Sequence, residues 1–153
     1  MPYTLMGLYD RILVPTDGSE GVERAVDHAI ELALEHGAEI HAIYVVNPAH
    51  FSGIPMEGTV EGVSELYRED AEAAVEAVAE RCRDRGVEVE PVVAEGTPSA
   101  EIVRYAERND CDVVVMGTHG RGGIDRLLLG SVAEKVVRAS EVPVLTIQVN
   151  GKR

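Results

Sequence analysis

The stretch that decides the fold is residues 113–131, which read VVVMGTHGRGGIDRLLLGS. It begins as an apolar, β-branched run, which is typical of a buried strand. It continues through a glycine-rich loop and ends at Gly130-Ser131, where a helical pattern begins. A strand that leads through glycines to a helix N-terminus can hold an anion, because the first amides of the helix are free and the helix dipole favours negative charge.

The glycines of this loop have a defined spacing: Gly117-x-x-Gly120, nine residues, then Gly130-Ser131. A Walker loop is excluded because no lysine follows Gly130, and the dinucleotide pattern Gly-x-Gly-x-x-Gly does not occur. Glycine has no Cβ, so the backbone can approach a ligand closely. The residues alone leave two interpretations open: a phosphate-binding loop, or a flexible turn with Ser131 as an ordinary helix N-cap.

Strands and helices alternate along the whole chain. Strands are predicted at residues 10–15, 39–46, 87–94, 112–116 and 142–149, and helices at residues 19–36, 60–85, 98–108 and from 131 onward. We read residues 1–8 as a flexible lead-in and residues 47–58 as a mobile loop. The alternation predicts an α/β fold, a single doubly wound domain with a parallel sheet and helices on both faces. Ligands then bind at the carboxyl ends of the strands, where the strand order reverses.

The charge balance limits the classes of partner that the protein is expected to bind. The chain of 153 residues carries 27 acidic and 14 basic residues, a net charge of -13, which disfavours nucleic acid and anionic membranes as partners. No apolar run is long enough to span a bilayer, and no signal peptide opens the chain, so we expect a cytoplasmic protein. The acidity fits either an ordinary soluble protein or one adapted to high salt.

Two motifs together resemble the universal stress protein family. They are the glycine pattern above and residues 11–19, RILVPTDGS, and the similarity continues to residues 142–145, VPVL. The glycine pattern is that of the ATP-binding branch of the family. The resemblance implies a five-stranded sheet in the order 3-2-1-4-5, homodimers, and ATP as ligand, alone or with Mg²⁺.

The resemblance also implies which residues contact the nucleotide. Carried over position by position, they are Pro15, Thr16, Asp17, Val45, Met116, Gly117, His119, Gly120, Gly130, Ser131, Val132 and Ala133. Asp17 has three open roles: it caps the following amides, contacts ribose or adenine, or holds Mg²⁺. For His119 we expect the backbone to matter more than the ring. Arg121 and Arg126 either clamp the γ-phosphate or face solvent.

We find no motif of a hydrolase, metalloprotease or dithiol enzyme, so no residue is predicted to be catalytic. The histidines at positions 28, 36, 41 and 50 form no obvious pair, which favours solvated or packing roles. The leading hypothesis is therefore a nucleotide-dependent regulatory or stress-response protein. The alternatives are a slow ATPase or phosphotransfer enzyme using Asp17 and a divalent metal, and a nucleotide-independent dimeric scaffold. In each case the last strand, from Val142 to Val149, is too apolar for a bare edge and is expected to form the homodimer.

Overall fold

The computed structural model describes residues 7–51, 60–118 and 129–148. The elements in chain order are β1 (Arg11–Pro15), α1 (Val22–His36), β2 (Glu39–Val46), α2 (Val60–Asp84), β3 (Val89–Glu95), α3 (Pro98–Arg108), β4 (Val113–Gly117), α4 (Ser131–Ala139) and β5 (Val144–Ile147). A short 3-10 helix, Pro48–Phe51, follows β2 and takes up the start of the predicted mobile loop; residues 52–58 of that loop lie outside the described residues.

The strands form one parallel sheet in the order β3-β2-β1-β4-β5. This confirms the predicted α/β fold and the strand order that the resemblance implied. The alternation of Val87 and Val89 with Glu88 and Glu90 predicts an edge strand, and the continuous apolar run at residues 112–116 predicts a central one. The observed order confirms β3 as an edge strand and β4 as an inner strand. The order reverses between β1 and β4, so this is the switch point at which ligands bind in sheets of this kind.

Side chains that alternate along the strands build two cores. On one face, Ile12 and Val14 pack with the buried side of α1 and with Val75, Val78 and Cys82 of α2. On the other face the second core packs against α3 and α4, and its fully or nearly buried members are Leu13, Ile43, Ile102, Ala106, Cys111, Val114, Met116, Ala133 and Val136. Both faces of the sheet are therefore covered, as the apolar runs predict.

Two local predictions were wrong. Helix α1 begins at Val22 with Gly21 as its N-cap, not at Ser19. The reason is that the Ser19 carbonyl accepts from the Val22 amide, which forms a turn before the helix. The apolar positions Val132, Val136 and Val137 predict an inner face for α4 that includes Val137, but the Val137 side chain is 44% exposed. It lies about 100° around the helix from the buried Val136, which turns it towards solvent.

Leu8, the last residue of the predicted lead-in, is hydrogen-bonded to the end of α1. The Leu8 amide donates to His36 Nδ1 at the end of α1, at 3.0 Å, and the ring of Tyr9 lies against the same imidazole with the centroids 4.9 Å apart. Residues 1–6 lie outside the described residues. At the following turn Gly37 adopts the left-handed conformation (φ 68°) that the sequence predicts for a helix stop.

Candidate functional site

The sheet opens between β1 and β4 at their carboxyl ends. Paired residues of these two strands end at Leu13 and Val114. The Thr16 amide donates to Ile43 of β2 at 2.9 Å, so the nitrogen of the preceding residue, Pro15, faces β4. Proline has no N–H to donate, and the ladder between β1 and β4 therefore cannot continue. The result is a crevice at the switch point.

The N-terminus of α4 is held beside this crevice. The Gly130 amide donates to the Thr118 carbonyl at 2.7 Å, and the Thr118 amide donates to the Ile147 carbonyl of β5 at 2.9 Å. These bonds fix the two glycine-bearing ends of the loop against each other. They also place the first turn of α4, with its positive dipole end, next to the end of β4.

Gly130, not Ser131, is the N-cap of α4. Its backbone is extended (φ -65°, ψ 164°), and among the described residues no side chain caps the helix. The interpretation of Ser131 as an ordinary N-cap is therefore wrong. Because Gly130 has no side chain of its own, the amides of the first turn receive no acceptor from the N-cap residue, which leaves room for an anion.

The loop after β1 forms two tight turns. Thr16 is 8% exposed, and its Oγ1 accepts from the Gly18 amide at 3.0 Å. Asp17 Oδ1 accepts from the Ser19 amide at 2.9 Å. The capping role left open for Asp17 is thus present for one of its oxygens.

The other described candidate residues lie at the carboxyl edge of the sheet or at the start of α4. Val45 is half-buried near the end of β2, while Met116 is buried and Gly117 half-buried at the end of β4. Val132 is half-buried, and the Ala133 side chain is 3% exposed in the core, which leaves its backbone for a ligand. His119, Gly120, Arg121 and Arg126 lie outside the described residues.

A second polar cluster lies at the opposite, amino edge of the sheet. His41 is 9% exposed, and its Nδ1 lies 2.6 Å from the Tyr105 hydroxyl while its Nε2 lies 3.2 Å from Glu39 Oε2. The same Glu39 oxygen accepts from Arg11 Nε at 2.6 Å. Burial opposes ionisation of Glu39, but the hydrogen bonds from Arg11 and His41 prevail and hold its pKa below the usual value. Of the solvated or packing roles expected for the histidines, His41 has a packing role, because it is buried and hydrogen-bonded at both ring nitrogens. The sequence feature that could have predicted this cluster is the two-residue spacing of Glu39 and His41, which places both side chains on one face of a strand.

Within the described residues, no group of three or more His, Cys, Asp or Glu side chains is placed to hold a metal ion. In the same residues no helix is both long enough and apolar enough to cross a membrane.

Comparison with known proteins identifies the family. The model of the Universal stress protein family matches residues 8–148. The chain belongs to the universal stress protein family. Among curated relatives, the universal stress protein MJ0531 of Methanocaldococcus jannaschii is 44% identical over 141 residues, covering 92% of this chain and 83% of the relative.

Solved structures of universal stress proteins share the fold. The structure of MJ0577 matches with a TM-score of 0.84 at 30% identity, over 95% of this chain and 99% of the other. A universal stress protein in complex with cAMP matches with a TM-score of 0.69 at 27% identity, over 92% and 98% of the two chains. The universal stress protein from Archaeoglobus fulgidus in complex with dAMP matches with a TM-score of 0.63 at 27% identity, over 92% and 99%.

Proposed function

We propose that this universal stress protein binds an adenine nucleotide at the switch point, with ATP, alone or with Mg²⁺, as the ligand, and acts as a nucleotide-dependent regulatory module. The observation that carries the proposal is the hydrogen bond from Gly130 to Thr118, which holds a helix N-terminus with glycine as its N-cap residue beside the end of β4. The two neighbours in complex with cAMP and dAMP support an adenine nucleotide as the class of ligand.

In this proposal backbone groups hold the phosphates. The amides of Ser131, Val132 and Ala133 are the first-turn donors of α4, and an anion there gains both hydrogen bonds and the helix dipole. Gly117 and Gly130 allow close approach because neither carries a Cβ. Such backbone donors suit a chain whose net charge of -13 would otherwise repel a phosphate.

The nucleoside would lie across the ends of β1 and β2. Pro15, Thr16 and Asp17 border the crevice on one side, and Val45 of β2 is the carried-over neighbour of adenine. Asp17 Oδ1 accepts from the Ser19 amide within its own turn, and the resemblance assigns the carboxylate to contact with ribose or Mg²⁺.

The direct test is to identify and then titrate the nucleotide. Mass spectrometry of native protein is expected to find a co-purified adenine nucleotide, and calorimetry with nucleotide-free protein is expected to show saturable binding of ATP. Guanosine triphosphate serves as the matched control, since it has the same phosphates and a different base. Absence of binding of ATP, ADP and AMP at millimolar concentration would refute the proposal.

Phosphate release separates a regulatory protein from a slow ATPase. We expect release at background, and Asp17→Asn is the discriminating variant. Asparagine keeps a side-chain oxygen for the Ser19 amide but removes the charge that would hold a metal. ATP-dependent release that is lost in this variant would favour the enzyme instead.

We further propose that β5 pairs with its own copy to form a homodimer. β5 is an outer strand, and its four residues are half-buried. The carbonyls of Pro143 and Ile147 accept from the amides of Val114 and Thr118, so odd-numbered residues face β4 and the Thr146 amide faces the open edge. An uncovered apolar edge favours association.

Thr146→Pro tests this dimer, because it removes the outward N–H and leaves the bonds to β4 in place. Light scattering is expected to give a dimer for the native chain and for the control Thr146→Ala, and a monomer for Thr146→Pro. A native monomer, or a dimer in all three, would contradict the interface.

A further inference from the structure

A second cleft lies at the amino edge of the sheet, at the opposite end of the strands from the proposed nucleotide site. It has a volume of about 800 Å³, which lies in the range of small-molecule sites. Its walls come from the end of α2 at Arg83, from the start of β3, and from the last turn of α3 at Tyr105 and Asn109. Glu39 and His41 of β2 form its floor.

Hydrogen bonds hold this floor in one arrangement. His41 is bonded at both ring nitrogens, to Tyr105 and to Glu39, and Glu39 is held in turn by Arg11. Arg11 Nη1 also donates to the Asn109 carbonyl. A polar floor fixed in this way presents its groups to a ligand with little loss of entropy on binding.

The polar groups of the cleft that retain hydrogen-bonding capacity beyond these bonds are mainly acceptors. The Glu39 carboxylate can only accept, so His41 donates to it from Nε2, and in that tautomer Nδ1 accepts the Tyr105 hydroxyl proton. The Tyr105 oxygen then retains accepting capacity. Asn109 donates its Nδ2 to the Tyr105 carbonyl at 3.1 Å, which leaves its side-chain oxygen as an acceptor.

The charge of the cleft walls is mainly negative, which favours the same kind of ligand as these acceptors do. Glu88 and Glu90 line the cleft and are exposed. Glu90 also acts electrostatically on Tyr105: its charge adds to burial in raising the pKa of that hydroxyl. Arg83 is the one arginine or lysine among the described lining residues, and it already donates to Glu76 of its own helix at 2.7 Å.

We propose that this cleft binds a small organic cation with several N–H donors, an alkylammonium or guanidinium compound. Its ammonium or guanidinium group meets Glu90 and the Tyr105 oxygen, and its alkyl chain lies along the aromatic ring. An aromatic ring flanked by carboxylates is a common binding surface for such ligands. The site does not depend on nucleotide binding, because it lies at the other edge of the sheet.

The test uses the full chain, free of nucleotide, and follows backbone amide signals by NMR during titration with putrescine and with agmatine. These probes separate an ammonium from a guanidinium preference. The neutral control is 1,4-butanediol, which has the same chain length as putrescine. Saturable shifts at residues 39–41, 88–90 and 105 are expected with at least one cation, and none with the diol.

Two variants with the same change of net charge separate a site from diffuse attraction. Glu90→Gln is expected to weaken binding about threefold to fivefold, the scale of one exposed ion pair. Glu107→Gln lies on the exposed side of α3, outside the lining, and is expected to leave the affinity unchanged. Equal weakening by the two variants, shifts spread over the whole surface, or no shift at 10 mM putrescine (roughly the weak limit of small-ligand affinity) would each overturn the proposal.

Discussion

Alanine at Gly130 should separate nucleotide binding from folding. The Gly130 backbone (φ -65°, ψ 164°) lies in a region that any residue adopts. Alanine is a poorer N-cap than glycine, at a cost of about 0.5–1 kcal/mol. It also restricts the unfolded chain, which contributes about 0.4–1 kcal/mol of stability. These effects nearly cancel, so the Tm of the nucleotide-free variant should move by less than about 2 °C.

Addition of nucleotide should distinguish Gly130→Ala from the native chain. At a concentration 100 times Kd, a ligand stabilises the native state by about 2.7 kcal/mol. For a chain of this size that corresponds to a rise in Tm of roughly 5–11 °C. The added methyl group at Gly130 stands where the phosphate must approach the first turn of α4, so Gly130→Ala should lose most of this rise. Differential scanning fluorimetry with and without ATP measures both quantities.

Gly37→Ala is the matched control, since it makes the same chemical change at a different glycine. Gly37 has a left-handed backbone (φ 68°), and the space around it is open, so strain and not crowding opposes a side chain. The cost is about 1–2 kcal/mol, or roughly 2–8 °C in Tm. This variant should be less stable and still respond fully to ATP. If Gly130→Ala keeps the full response, the N-terminus of α4 does not hold the phosphates and the reasoning fails.

Three further predictions concern charge and burial. The lowered pKa of Glu39 means that its ion pairs stabilise the fold above the ordinary carboxyl pKa of 4.5 and that this stabilisation is lost as the pH falls from 4.5 through the lowered pKa. Glu39→Gln should therefore cost about 1–2 kcal/mol in urea unfolding at pH 7 and progressively less as the pH falls below 4.5, whereas an equal cost at every pH would contradict the assignment. Burial raises the pKa of Cys82 to about 11 and of Cys111 to about 12, so a disulfide reagent at pH 8 should modify them only after unfolding, and fast reaction of the folded chain would show that they are accessible. Potassium chloride from about 0.1 to 1 M shortens the screening length from about 10 to 3 Å, so the Tm of a chain with net charge -13 should rise; equal Tm values would count against salt adaptation.

The strands and the helix ends were predictable because their signals are local. The apolar run at residues 113–116 predicts an inner strand, and Gly37 predicts a helix stop from its freedom to adopt a positive φ. Helix starts were less accurate. Ser19 has the chemistry of an N-cap, but its carbonyl accepts from the Val22 amide in a turn that precedes the helix, so α1 begins only at Val22.

The two sites differ in what builds them, and that difference explains why only one was visible in the sequence. The proposed nucleotide site is made largely of backbone amides at a helix start, and glycines mark such backbone in the sequence itself. The cleft at the other edge is made of side chains, and His41 and Tyr105 lie 64 positions apart. The two side chains meet because α3 packs against β2 at Tyr105, about one turn before the C-terminal end of α3. The contact between Arg11 and Glu39 requires the register that places these residues opposite each other. Both contacts depend on how whole elements pack, so no local sequence pattern could have predicted them. The position of Glu39 and His41 on one face of β2 was the only part of the cluster visible in the sequence.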